Sequence, residues 1–212
     1  MAESIRRRSE MSFFGFLDDD PKKQTYGYND LPVLGGLCSW KELSHKCLFL
    51  TSLYSPKKNC SFFELVRSLG IPKSRWATVI DPCAAVSATA TMGHGAYIGP
   101  GAVLEPMVCL GNLCAMLGNA YVAHHSRLAD HVVCANSVSI AGGVSIGEAS
   151  FIGANATVRE YVRVGSRAVV GMGSVVLMDV ADGQTVVGNP ARPMRKYPVE
   201  TDSPDGAVGK AR

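Results

Sequence analysis

Val122-Ala123-His124-His125-Ser126-Arg127-Leu128-Ala129-Asp130-His131-Val132-Val133-Cys134 holds two turns of a six-residue pattern. Apolar residues stand at 122, 128 and 134, with Ser126 and Val132 two places ahead of the last two. Followed outward, the pattern runs without a slip from Ile80 to Val176, seventeen apolar residues six apart. The residue two places earlier is Ala seven times, Val five, Ser three, and Thr and Cys once each. With 47% of the chain apolar, chance gives such a run at on the order of 10⁻⁵. Neither a 3.6-residue helix nor a hairpin-linked strand has this period. A unit of one short strand and one turn has it, and such units stack into a β-helix.

Three hexads close one triangular coil of 18 residues, so the seventeen predict five to six coils. At about 4.8 Å per stacked strand the prism is roughly 27 Å tall. The apolar residue fills the axis and the small residue lets the corner turn tightly. Gly directly follows the inward residue at 93, 99, 111, 147, 153, 165 and 171, where a positive φ is expected of the turn.

The rest divides by composition into a polar, disordered 1–11, an α/β segment 12–76, the β-helix 77–181, a C-terminal cap 182–197 and a flexible tail 198–212. Within 12–76, Phe13–Leu17 and Cys47–Leu53 read as strands, Leu31–Gly36 as a short strand and turn, and Ser39 as the cap of a brief helix through Leu43. Ser61 with Glu64 reads as a capping box opening a helix that ends at Gly70.

The net charge of +3 is spread out, which excludes a nucleic-acid-binding face. No stretch approaches the roughly 20 apolar residues of a membrane helix. Seven Cys, with no CxxC pair, point to a reducing compartment and hence the cytoplasm.

His124 falls two residues after the inward Val122, on a corner, and the same corner of the next coil carries Gly142. An imidazole beside a backbone N–H with no side chain in the way suits acyl transfer: one takes a proton, the other holds an oxyanion. His125 is a second base, an orienter of His124 or a bystander. Arg159, Arg163, Arg167, Arg192, Arg195 and Lys196 are candidate partners for phosphates. Inward Cys134 is a poor nucleophile.

With the lead-in Ala77-Thr78-Val79-Ile80-Asp81-Pro82, the hexads, the His124 coil and the ending Val187-Gly188-Asn189-Pro190-Ala191-Arg192, the chain resembles the hexapeptide-repeat acyltransferases. Gly15-Phe16-Leu17-Asp18-Asp19-Asp20 and Leu31-Pro32-Val33-Leu34-Gly35 are similar to the branch acetylating sialic acids or amino groups of nucleotide-linked sugars. The resemblance implies a left-handed β-helix, against the right-handed rule for parallel crossovers, preceded by a Rossmann-like domain. It implies a homotrimer with acetyl-CoA as donor in the groove between prisms, His124 as general base and Gly142 facing the thioester carbonyl. It further implies Pro190 and Ala191 at the pantetheine or adenine end and Asp18 and Asp19 at the nucleotide base; of the basic residues, Arg163 and Arg192 are the ones expected on the coenzyme's phosphates, and no metal is expected.

Two departures stand out. No Gly-rich loop precedes Phe13, so the Rossmann-like domain is expected to be truncated, lacking its first strand, loop and helix. The acidic residue that commonly follows the catalytic His is His125 here. The alternatives are a non-catalytic trimeric scaffold and, since His124, His125 and His131 are close in sequence, a zinc protein like the γ-class carbonic anhydrases.

Overall fold

The computed structural model describes residues 1–7, 11–27, 31–52, 55–56 and 59–194. Seventeen two-residue strands, from Val79–Ile80 to Val175–Val176, recur every six residues. Each hexad gives three residues to strand and corner core and three to a turn, so no strand grows longer. All pair in parallel with the strand 18 residues away, as Ser139 does with Tyr121 and Thr157. The result is a mainly β solenoid of about six coils with three faces.

The first face begins at Val79–Ile80 and is extended by Thr185–Val187, against which Arg192–Pro193 runs antiparallel. The second runs from Ala85–Val86 to Val175–Val176, and the third from Thr91–Met92 to Arg163–Val164. The inward residues from Ile98 to Val176 are buried, and so are the small residues two places ahead of them, such as Ala102 and Cys114. Ser126 and Ser150 occupy this small position at no polar cost. Their hydroxyls donate to Ala141 O (2.9 Å) and Gly165 O (2.7 Å) and accept from Val144 N–H and Ala168 N–H.

The turn works differently from the expectation. Positive φ falls three residues after the inward position, at Met107, Leu113, Asn119, His125 and onward to Arg167, not at the glycine that directly follows it. That glycine answers a close approach instead. A Cβ on Gly153 would lie 2.6 Å from Met172 N of the next coil.

The N-terminal segment departs further. Residues 2–6, expected to be disordered, form helix α1 (Ala2–Arg6). Ile5 packs with Ala77, Val79 and Tyr97, and Ser4 Oγ lies 3.0 Å from the Tyr97 hydroxyl, so an apolar anchor overrides the polar composition. Phe13–Leu17 and Cys47–Leu53 form no regular strand. Each makes one isolated parallel bridge, Phe16 to Val33 and Phe49 to Trp76, and part of the second lies outside the described residues. Asp20 caps α2 (Pro21–Tyr26) through Lys22 N–H. Ser39 does not cap a helix but lies inside a 3₁₀ turn, Leu37–Lys41. The capping-box helix is α3 (Asn59–Ser68), which begins two residues before Ser61; Gly70 beyond it has φ +64. α3 buries Phe63 and Val66, and Asn59 Nδ2 donates to Ala149 O at 2.8 Å. The cap is described through Met194; the expected tail lies outside the described residues.

Candidate functional site

The edge between the second and third faces repeats at each coil as Pro106-Met107, His124-His125, Gly142-Gly143 and Glu160-Tyr161. Backbone bonds lock the rungs. His125 N–H donates to Pro106 O (3.1 Å), Gly143 N–H to His124 O (2.9 Å) and Tyr161 N–H to Gly142 O (3.0 Å). The 18-residue coil thus fixes which side chains meet.

The His124 ring covers Gly142. A Cβ built there would lie 2.7 Å from His124 Cε1 and 3.0 Å from Nε2, so only glycine leaves the ring its place. The Gly142 N–H meets no acceptor among the described residues. His124 and Gly142 are therefore brought together as the register requires. His125, with φ 60, stands beside them, its Nδ1 3.1 Å from His124 Nδ1. One of the two nitrogens donates and the other accepts, which gives His125 the geometry of an orienter.

Glu105 and Tyr121, which the sequence pattern did not single out, complete the cluster. Glu105 Oε2 accepts from His124 N–H at 3.0 Å, and Oε1 takes a short hydrogen bond from the Tyr121 hydroxyl. The Tyr121 bond, then the His124 N–H, holds the Glu105 carboxyl below its usual range. The same bond raises the Tyr121 phenol. The signal was available, because Glu105 stands one coil before Ala123.

The other expected site residues sit elsewhere. Arg163 projects from the third face, where Cys109, Arg127, Ser145, Arg163 and Ser166 line a shallow trough of about 410 Å³. Pro190 and Ala191 belong to the cap, in which Ala191 N–H donates to Val175 O (2.7 Å) and Asn189–Pro190 is cis. Arg192 Nη1 turns back onto Ala191 O. Arg167 pairs with Glu64 of α3 at 2.7 Å. Arg195 and Lys196 lie outside the described residues.

Asp18 and Asp19 are engaged within their own segment. Asp18 accepts from Asp20 N–H and pairs with Lys23 at 3.0 Å, while Asp19 accepts from Leu37 N–H at 2.7 Å. A larger cavity, about 560 Å³, lies between this segment and the first coil. Phe13, Phe16, Leu37, Phe49 and Trp76 make it apolar, and no His, Asp or Glu is among the described residues that line it.

His131 lies on the next edge, fully buried against Phe62 and Phe63 at ring distances of 5.8 and 5.2 Å. It does not join His124 and His125. Among the described residues no group of three or more His, Cys, Asp or Glu is placed to hold a metal ion. Burial pushes the Cys114 thiol up to about 12 and the Cys134 thiol up as well, so both stay protonated and inert. Among the described residues no helix is long and apolar enough to cross a membrane.

Solved structures similar to this chain bear out the expected fold and the acyltransferase class. The acetyltransferase domain of PglB from Neisseria gonorrhoeae, in complex with acetyl coenzyme A, is 29% identical over 91% of this chain and 92% of that one, with a TM-score of 0.78. A mutant perosamine N-acetyltransferase from Caulobacter crescentus, with a histidine replaced by asparagine and in complex with CoA and GDP-perosamine, is 26% identical over 92% and 90%, with a TM-score of 0.81. WeeI from Acinetobacter baumannii, 22% identical over 91% and 92% with a TM-score of 0.75, shares the fold. No curated protein matches the chain. The family model described as GMPPB C-terminal domain matches residues 76–186. This is more than half of the sequence, and the chain belongs to that family.

Proposed function

We propose that this chain transfers an acetyl group from acetyl-CoA to an amine of a nucleotide-linked sugar. The observation that carries the reading is the His124 imidazole standing over Gly142, a residue with no side chain, whose N–H meets no acceptor among the described residues. The PglB domain and the perosamine N-acetyltransferase, which hold acetyl coenzyme A or CoA with a nucleotide sugar, support it. The name of the perosamine N-acetyltransferase also favours an amine over a hydroxyl.

His124 Nε2 takes the proton of the attacking amine as its nitrogen bonds to the thioester carbon. His124 Nδ1–H then donates to His125 Nδ1, which fixes the tautomer and the ring plane. Gly142 N–H donates to the carbonyl oxygen as it gains charge. When the carbon–sulfur bond breaks, the imidazolium returns the proton to the leaving thiolate, so the products are an amide and a thiol. Glu105, held ionised by Tyr121 and by His124 N–H, also interacts with the charge of His124 and partly replaces the acid that position 125 lacks.

Arg127 and Arg163 along the trough, with Arg192, Pro190 and Ala191 at the cap, are the groups we assign to the donor's phosphates and far end. Exposed Met107, Leu177 and Met178 on the His124 edge support a trimer in which neighbouring prisms meet along this edge on either side of the site. Sedimentation measures that state.

The test is thiol release from acetyl-CoA over a panel of nucleotide-linked amino sugars and free sialic acid. Turnover of one of them, lowered by about 10²–10⁴ in His124→Ala, is the expected result. No turnover and no binding of acetyl-CoA at millimolar concentration would leave the scaffold reading instead.

A further inference from the structure

The edge that carries His124 bears a second ring, which the reaction above leaves unused. Gly142 and Gly143 are reached from both neighbouring coils. His124 leans over Gly142 from the coil before. Tyr161 leans over Gly143 from the coil after, where an added Cβ would lie 2.7 Å from both Tyr161 Cδ1 and Cε1. Tyr161 N–H on Gly142 O and Gly143 N–H on His124 O hold the three rungs in register.

Folding does not explain this ring. Tyr161 is 79% exposed, so it adds little to the core. Its φ of 62 is the one the turn imposes on every residue of this place, Met107 and His125 included, and so does not select a tyrosine. Met107, His125 and Gly143 take the same place in the other coils of this edge, and Asn119, Asn155 and Gly173 take it on the edge before. An exposed aromatic whose ring lies over Gly143, next to the reacting centre, is placed to meet what binds there.

We propose that Tyr161 sets the size of the acyl group that the chain transfers. This rests on the acetyl-transfer reading. The backbones of His124 and Tyr161 are two rungs apart, about 9.6 Å, and both rings incline toward the rung between them. The floor of that gap is two residues without side chains. A thioester carbon held at Gly142 N–H has the imidazole on one side and the phenol ring on the other. A methyl fits against the ring face. A longer chain collides with it.

The experiment compares acetyl-, propionyl- and butyryl-CoA with one acceptor, in the wild type, Tyr161→Gly and Tyr161→Phe. Glycine suits the backbone at 161. Tyr161→Asn replaces it if that variant does not fold, since asparagine already holds the equivalent turn position at 119 and 155. The expected result is a wild type that prefers acetyl. Tyr161→Gly raises the butyryl-to-acetyl ratio of kcat/KM by about tenfold or more, while Tyr161→Phe keeps the wild-type ratio. An unchanged ratio in the glycine and asparagine variants of an active enzyme overturns the proposal. So does a phenylalanine variant that behaves like the glycine one, since the hydroxyl would then be the working group. A wild type that turns over no donor removes the acetyl-transfer reading itself, and is told apart because no chain length reacts.

Discussion

The His124 imidazole fills the volume that a side chain on Gly142 would need, with Nε2 3.0 Å from the site of the missing Cβ. Base and oxyanion donor are thus built from two consecutive rungs of one edge, and the glycine serves the ring as much as the substrate.

Gly142→Ala tests this directly. Gly142 does not have a positive φ, so alanine strains no backbone, yet its methyl must push the ring aside. We expect kcat/KM to fall about a hundredfold, the cost of a misplaced catalytic group, with the melting temperature nearly unchanged. Steady-state kinetics beside a thermal melt check it.

His125→Asn keeps a residue that tolerates φ 60 but withdraws the imidazole from His124 Nδ1. Losing one hydrogen bond of about 1 kcal/mol predicts a five- to tenfold lower kcat with KM unchanged. The converse change, His125→Asp, restores an acid next to the base and should raise kcat.

Tyr121→Phe removes the hydrogen bond that contributes most to holding Glu105 ionised. The Glu105 carboxyl then titrates higher, toward its ordinary value, as carboxyl NMR would follow. The Glu105 bond to His124 N–H remains, so activity should drop only severalfold.

Buried His131 predicts an acid-dependent stability. Burial lowers its pKa from 6.5 to about 4, against the opposing pull of Asp130. The unfolded chain takes up the proton first as pH falls. The contribution is fully present above pH 6.5, declines from 6.5 to 4 and is level below, amounting to about 3 kcal/mol. Chemical denaturation across that range measures it. His131→Leu should flatten the slope, since Leu113 adopts the same conformation, φ 57, one coil earlier.

Ile140 is fully buried on the axis. Ile140→Ala should cost about 2–5 kcal/mol, read by denaturant titration, without altering the residues of the His124 edge.

The solenoid was legible because each inward residue from Ile80 to Val176 repeats the same local instruction, so the period carries the register of every strand. The segment before it was less so. Phe13–Leu17 and Cys47–Leu53 have strand composition, but each finds a single bridge partner, and apolar runs look alike whether paired or merely packed. Ile5 was hidden among charges, and only its contact with Tyr97 and Val79 gives α1 a reason to form. At the turns, a glycine that avoids a collision cannot be told by sequence from one that supplies positive φ. At the site, the 18-residue count found Gly142 opposite His124 and would have found Glu105 and Tyr161. What it lacks is the direction each side chain takes from the corner.

The in-register ladder along the edge also makes the site sensitive to length. Removing six residues between 125 and 141 would rotate everything that follows by a third of a turn, carrying Gly142 to a different edge from His124. Removing eighteen from beyond Tyr161 would shorten the prism and leave the trio in place. Chain length can therefore vary in whole coils outside rungs 124, 142 and 161, while between them it is quantised to zero.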